Sequence, residues 1–425
     1  MPPRTPSQPA AGAVAEIQGL YGPFSFPEKL LQKIWAKGDF NRSAARLTDG
    51  RRVSVVHPGA WNLLGGPDFR SARLRFEEGP AVTCDVELHL RAEDWAAHGH
   101  ARDPAYDAVE LHVVLFPPEK GHVTRGAGGR EIPVLVLLPL LHHDLEEFAA
   151  DDAVERLAGR QEEKMPAALA GLGARELRET LREHAETRWR QKVHFARLRM
   201  QRLGWQAACH STALEILGYR FNRAPMLRVA ARWSLAEWGR GAVDADEAFA
   251  VEAGAWSLQG VRPANHPRTR LRQYAKWALV RPDWPERLAA LAINLPRGSK
   301  IDPATTAGVR REGRFVAWRK AVAEICGEAV GGSRLDNLMC DGFLPLMAAS
   351  GGEEGALREI WFHWWPGDLP PKVARGLREL EVVSRPAHPA CHGAAQGLLS
   401  WLLEDSAKRL RVGRARGLTR FRPAG

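Results

Sequence analysis

Near residue 145 the spacing of apolar side chains changes period, and that change limits what the chain can be. Upstream, strand-length runs at residues 51–56, 71–76, 82–90, 108–116 and 132–138 alternate or are continuously apolar, with Gly, Pro or Asp between them. Downstream, long segments at 175–203, 211–238, 268–277, 314–325 and 393–410 repeat their apolar residues at helical spacing. No single-architecture domain carries both patterns, and 425 residues suffice for two or three domains. The division expected is a disordered leader (1–20), an α/β domain (21–145), a helical domain (146–410) and a basic tail (411–425). Ser25-Phe26-Pro27-Glu28 has the form of a capping box and opens a short helix over 28–37. A second short helix is expected over 92–98. The order is therefore helix, three strands, helix, two strands.

The densest chemistry lies on the third strand, Val82-Thr83-Cys84-Asp85-Val86-Glu87-Leu88-His89-Leu90. Strands alternate faces, so Asp85, Glu87 and His89 share one side and the apolar residues the other. Buried carboxylates are costly unless paired or metal-bound. Gly65-Gly66-Pro67-Asp68 brings another acid to the start of the preceding strand, within reach of the Glu87 face if the two strands are neighbours. Two carboxylates there suit a hard divalent ion, Mg²⁺ or Mn²⁺, with His89 handling the water. The plainer alternatives are that Asp85 pairs with Arg70 or Arg73 and that Glu28 is only a helix-capping acid.

Pro67-Asp68-Phe69, followed by Glu87-Leu88-His89, resembles the PD-(D/E)xK nuclease superfamily, as does the order of elements. The resemblance implies a restriction-endonuclease-like α/β fold and metal-dependent phosphodiester hydrolysis. It makes Asp68 and Glu87 metal ligands, sets His89 where that superfamily has lysine, and matches Glu28 to its first-helix acid. At full length the chain is similar to an uncharacterised bacterial family through stretches such as GPDFRSARLRF, RPANHPRTRLRQ and NLMCDGFLPLMAA, which name no activity.

Directly downstream come Trp95, His98, His100, Asp103 and Tyr106, then Glu110 and His112 on the next strand. Three readings stand: His100 and Tyr106 extend the nuclease-like site toward phosphate; His98, His100 and Asp103, with His89 or His112, hold Zn²⁺ or Fe; or the loop is a satisfied polar turn. The functions expected are a Mg²⁺/Mn²⁺-dependent nuclease, a catalytically silent nucleic-acid- or protein-binding scaffold, or a histidine-rich Zn/Fe hydrolase.

A formal charge of +10 favours nucleic acid as partner. Candidate phosphate contacts are Arg188, Arg190 and Lys192, on a segment with nine Arg/Lys against four Glu, and Arg268, Arg270 and Arg272. On that long segment, Glu–Arg pairing on a solvated face is the simpler account. The loop 262–267 either closes over a substrate or joins helices, and Trp361, Trp364 and Trp365 read as packing. Five dispersed cysteines without a CxxC pair exclude a thiolate zinc knuckle and point to a reducing, cytoplasmic setting. The most apolar run, 132–141, is too short for a membrane helix.

Overall fold

The computed structural model describes residues 14–19, 22–158, 165–219, 221–259, 261–293, 305–383 and 387–418. It divides into two compact units, Met1–Ala149 and Ala150–Gly425.

The first unit is a mixed α+β structure. Strands β1 (Val14–Gly19) and β2 (Gly22–Pro27) form an antiparallel ribbon, so 14–19, expected within a disordered leader, is strand. Helix α1 (Glu28–Lys37) follows at once. The expected capping box does not form: the N-cap is Pro27, which has no side chain to accept a hydrogen bond. Ser25 is held in β2, whose next residue, Phe26, is fully buried. α1 ends where Gly38 adopts a left-handed conformation. Its Leu30, Leu31, Ile34 and Trp35 are buried.

After α1 come β3 (Val53–His57), β4 (Ala60–Trp61), β5 (Phe69–Phe76) and β6 (Ala81–His89). A short helix, α2 (Asp94–Ala97), and two 3-10 turns lead to β7 (Val109–Val114), then β8 (Thr124–Arg125), β9 (Glu131–Ile132) and β10 (Val134–Val136). The main sheet runs β10-β7-β6-β5-β3, with β4 beside β5. β5 runs antiparallel to both β3 and β6; β6, β7 and β10 are parallel. Val86, Leu88 and Leu90 of the β6 segment join Leu111 and Val113 of β7 and the apolar face of α1 in one core. Glu87 and His89 therefore look out from the other face of the sheet.

The second unit is helical, with tryptophan-rich packing. The segment 211–238, expected as one helix, is broken into Trp205–Leu217, Arg223–Arg232 and Leu235–Gly239. Ser234 caps the last of these in a capping box with Glu237. Helix Ala174–Leu203 packs against His392–Leu418. The latter continues into residues 411–418 of the expected flexible tail, and 419–425 lie outside the described residues. Trp361 and Trp364 are fully buried, as their spacing implied. Among the described residues, no helix is long and apolar enough to cross a membrane.

Candidate metal centre

β5 and β6 meet with Phe69 opposite Val86, which sets Asp68 beside Glu87. The Asp68 backbone N–H donates to Glu87 Oε2 at 2.9 Å, and Leu88 N–H donates to Asp68 Oδ2 at 3.1 Å. Gln32, one turn beyond Glu28 on α1, donates to Asp68 Oδ1 at 2.6 Å and accepts from Trp61 Nε1. Asp68 thus has a protein donor on each oxygen, while Glu87 turns its Oε1 toward the histidines.

His89 is the hub of that second group. Its Nε2 lies 3.1 Å from His98 Nδ1, 3.3 Å from His100 Nε2 and 3.6 Å from Glu87 Oε1. His100 Nε2 lies 3.4 Å from the same Glu87 oxygen. His89, His100 and Glu87 are buried and His98 is exposed. The local chain explains the convergence. His98 caps α2, Gly99 takes a left-handed backbone (φ 75°), and His100 opens the following 3-10 turn, so the chain reverses between the two imidazoles. His100 stacks between Tyr106 (ring centroids 3.8 Å apart) and His89, with Trp95 edge-on.

Behind the hub, His89 Nδ1 lies 2.9 Å from His112 Nε2, and His112 Nδ1 lies 2.9 Å from Thr124 Oγ1, which His122 Nε2 also approaches at 3.3 Å. In the tautomers whose Nδ1–H groups donate down this chain, the lone pair of His89 Nε2 faces His98, His100 and Glu87. Burial is the main force keeping these rings neutral: His89 is pushed down to about 2 and His112 to about 3, with neighbouring imidazoles adding to the effect.

The acids shift the other way. Glu28, Asp68 and Glu87 are each raised to about 8, chiefly by burial. Glu28 and Asp68 also feel neighbouring carboxylates. Glu28 Oε2 is buried with no hydrogen-bond partner among the described residues. A cluster of neutral imidazoles and reluctant carboxylates is what a cation would stabilise. His89, His98 and His100 offer three ligand nitrogens within 4.8 Å of one another.

Other candidates have plainer roles. Asp85 meets neither Arg70 nor Arg73 as its partner; it accepts from the Ser71 N–H at 2.9 Å, where β5 bulges and Ser71 has φ 55°. Asp103 caps the turn Pro104–Tyr106 through Ala105 N–H, and Glu110 pairs with Arg130. Sequence reasoning missed Gln32, whose signal was its i+4 spacing from Glu28, and Thr124 and His122, which carried none.

The proposed phosphate contacts are mostly engaged within the chain. Lys192 pairs with Asp341 at 2.7 Å, and Arg188 reaches Gln396 and Gln191. Arg268 and Arg272 share Asp246. Arg270 is buried, so it cannot lie along a nucleic-acid backbone at the surface. Arg190 is exposed.

Residues 28–248, which include every residue of this centre, match the family described as "Protein of unknown function (DUF2851)". The chain belongs to that family. No curated protein and no solved structure matches this DUF2851 member.

Proposed function

We propose that the first unit of this DUF2851 protein is a metal-dependent hydrolase whose ion is held by Glu87, His89, His98 and His100, and whose substrate is a phosphodiester. One observation carries the reading. Metal bonds of about 2.0–2.2 Å to imidazole nitrogen and carboxylate oxygen put tetrahedral ligand atoms about 3.3–3.5 Å apart. Four of the six separations among these atoms, 3.1, 3.3, 3.4 and 3.6 Å, lie around that range, and the three imidazole nitrogens lie within 4.8 Å of one another. The donor set favours Zn²⁺, Fe²⁺ or Mn²⁺ over Mg²⁺, because three of its four atoms are imidazole nitrogens.

When bound, such an ion supplies an acidified water and a positive charge for a phosphoryl oxygen. The protein's own groups do the rest. His112 and Thr124 fix the tautomer and orientation of His89. Asp68 and Gln32 hold Glu87 and the start of β5 in place. Glu28, raised to about 8 by burial and by the charges of Asp68 and Glu87, is mostly protonated near neutral pH and can give that proton to a leaving oxygen. The +10 charge supports nucleic acid as the source of the phosphodiester. Five buried free thiols among the described residues support a reducing compartment.

A second reading keeps the same reaction with Mg²⁺ or Mn²⁺ at Asp68 and Glu87. The unpartnered Glu28 oxygen beside them favours it. The two readings separate in one assay of single-stranded DNA and RNA cleavage by metal-stripped protein resupplied with Zn²⁺, Mn²⁺, Fe²⁺ or Mg²⁺. Cleavage that needs a transition metal and falls at least 100-fold in His98→Ala and His100→Ala supports the histidine centre. Cleavage with Mg²⁺ that survives both variants but not Asp68→Ala supports the carboxylate site. No cleavage by the parent with any metal leaves a silent scaffold.

A further inference from the structure

The helical unit holds two buried arginines whose guanidinium groups the fold does not fully satisfy. Arg270, on helix Pro267–Val280, is 7% exposed, and Arg334, on helix Gly332–Asn337, is 5% exposed. Arg270 gives Nη1 to Gln273 Oε1 (2.8 Å) and Nη2 to Asn265 Oδ1 (2.6 Å), both neutral amide oxygens. Arg334 gives Nη1 to the Ile216 carbonyl and Nη2 to Asp368 (3.0 Å), and lies over the Tyr219 ring at 4.6 Å. The Nε of each guanidinium is buried with no hydrogen-bond partner among the described residues. The two are near enough for the Arg334 charge to add to burial in pulling Arg270 down to about 10, and Asp368 acts on both. Asp368 pairs with Arg334, on which Asp341 also acts, whereas Arg270 has only the more distant charge of Asp368 and makes its hydrogen bonds to neutral amides. Burying a charge without a counter-charge is among the costliest arrangements in a fold, and a guanidinium with a free Nε–H presents a fork edge that matches an oxyanion.

We infer that Arg270 and Arg334, with Tyr219 beside them and the loop 262–266 supplying Asn265, form an oxyanion site that takes a phosphate group. Their burial excludes the backbone of a long nucleic acid and favours free phosphate or the terminal phosphate of a small molecule. The two sequence stretches that build the site, RPANHPRTRLRQ and the helix leading into NLMCDGFLPLMAA, lie outside the metal centre and are not used by the reaction proposed above.

The test is thermal unfolding of the full chain, metal-stripped and kept in chelator, titrated with inorganic phosphate against chloride at matched ionic strength. A saturable rise of several degrees is expected with phosphate alone. Adenosine monophosphate in place of phosphate reports the small-molecule source by a lower half-saturation. Arg270→Lys and Arg334→Lys keep the charge and lose the fork, and each should abolish the rise. Asp368→Asn removes the competing carboxylate and should lower the half-saturating phosphate concentration several-fold. Glu87→Ala with His98→Ala should leave the rise intact. No rise over chloride, a rise that survives both lysine variants, or a half-saturation unchanged or increased in Asp368→Asn would each overturn the assignment.

Discussion

His89 has its two ring nitrogens committed in opposite directions, Nε2 to the ligand cluster and Nδ1 to His112. A ligating imidazole depends on such a partner for tautomer and basicity, and losing it costs about 10–100-fold in metal affinity. His112→Phe should therefore weaken metal binding by that factor, measured by chelator competition, without changing the number of ions bound. Burial acts on a different histidine in the helical unit. His392 is 2% exposed, neither ring nitrogen has a hydrogen-bond partner among the described residues, and it is pushed down to about 4, chiefly by burial, although the Asp341 charge acts in the other direction. Its unfolded value is about 6.5, so the folded state refuses a proton that the unfolded state accepts. That deficit grows as pH falls from about 6.5 toward 4 and is absent above 6.5. His392→Phe should flatten the acid loss of stability by roughly 3 kcal/mol at the low end of that window, followed by urea unfolding at stepped pH. An unchanged pH slope would remove His392 from the account.

At the level of elements, helices Ala174–Leu203 and His392–Leu418 approach so closely that a Cβ on Gly397 would sit 2.0 Å from the Leu181 carbonyl oxygen. Elsewhere Gly→Ala inside a helix is stabilising by propensity. Here Gly397→Ala should cost about 1–3 kcal/mol because the backbones must part; a neutral or stabilising effect in denaturant unfolding would contradict this packing. The same scale shows what could be read in advance. Alternation on β6 assigned Glu87 and His89 to one face and Leu88 to the core, because period two leaves no freedom. Asp68 beside Glu87 followed once β5 and β6 were taken as neighbours. The grouping of His98 and His100 with His89 stood as one of three readings, and what the sequence could not decide was the reversal at Gly99 and the walls of Tyr106 and Trp95 that bring the rings together. The role of Asp85 was not legible, because the bulge it pins leaves no mark in the sequence. The capping box failed because the β1–β2 ribbon claims Ser25, a tertiary demand that local pattern cannot report.

For the whole molecule, the change of period near residue 145 separates a mixed α+β unit from a helical one, each with its own core. The proposed chemistry lies wholly in the first unit and the proposed oxyanion site wholly in the second. The claim on which the functional reading turns is that Glu87, His89, His98 and His100 surround one ion rather than a set of shared protons. The most direct measurement is elemental analysis of the purified full chain after exhaustive dialysis, beside His100→Ala and Glu87→Ala. The account predicts close to one transition-metal ion per chain in the parent and a small fraction of that in each variant. A parent that holds no metal after growth with Zn²⁺, Fe²⁺ or Mn²⁺, or variants that keep it in full, would contradict the account.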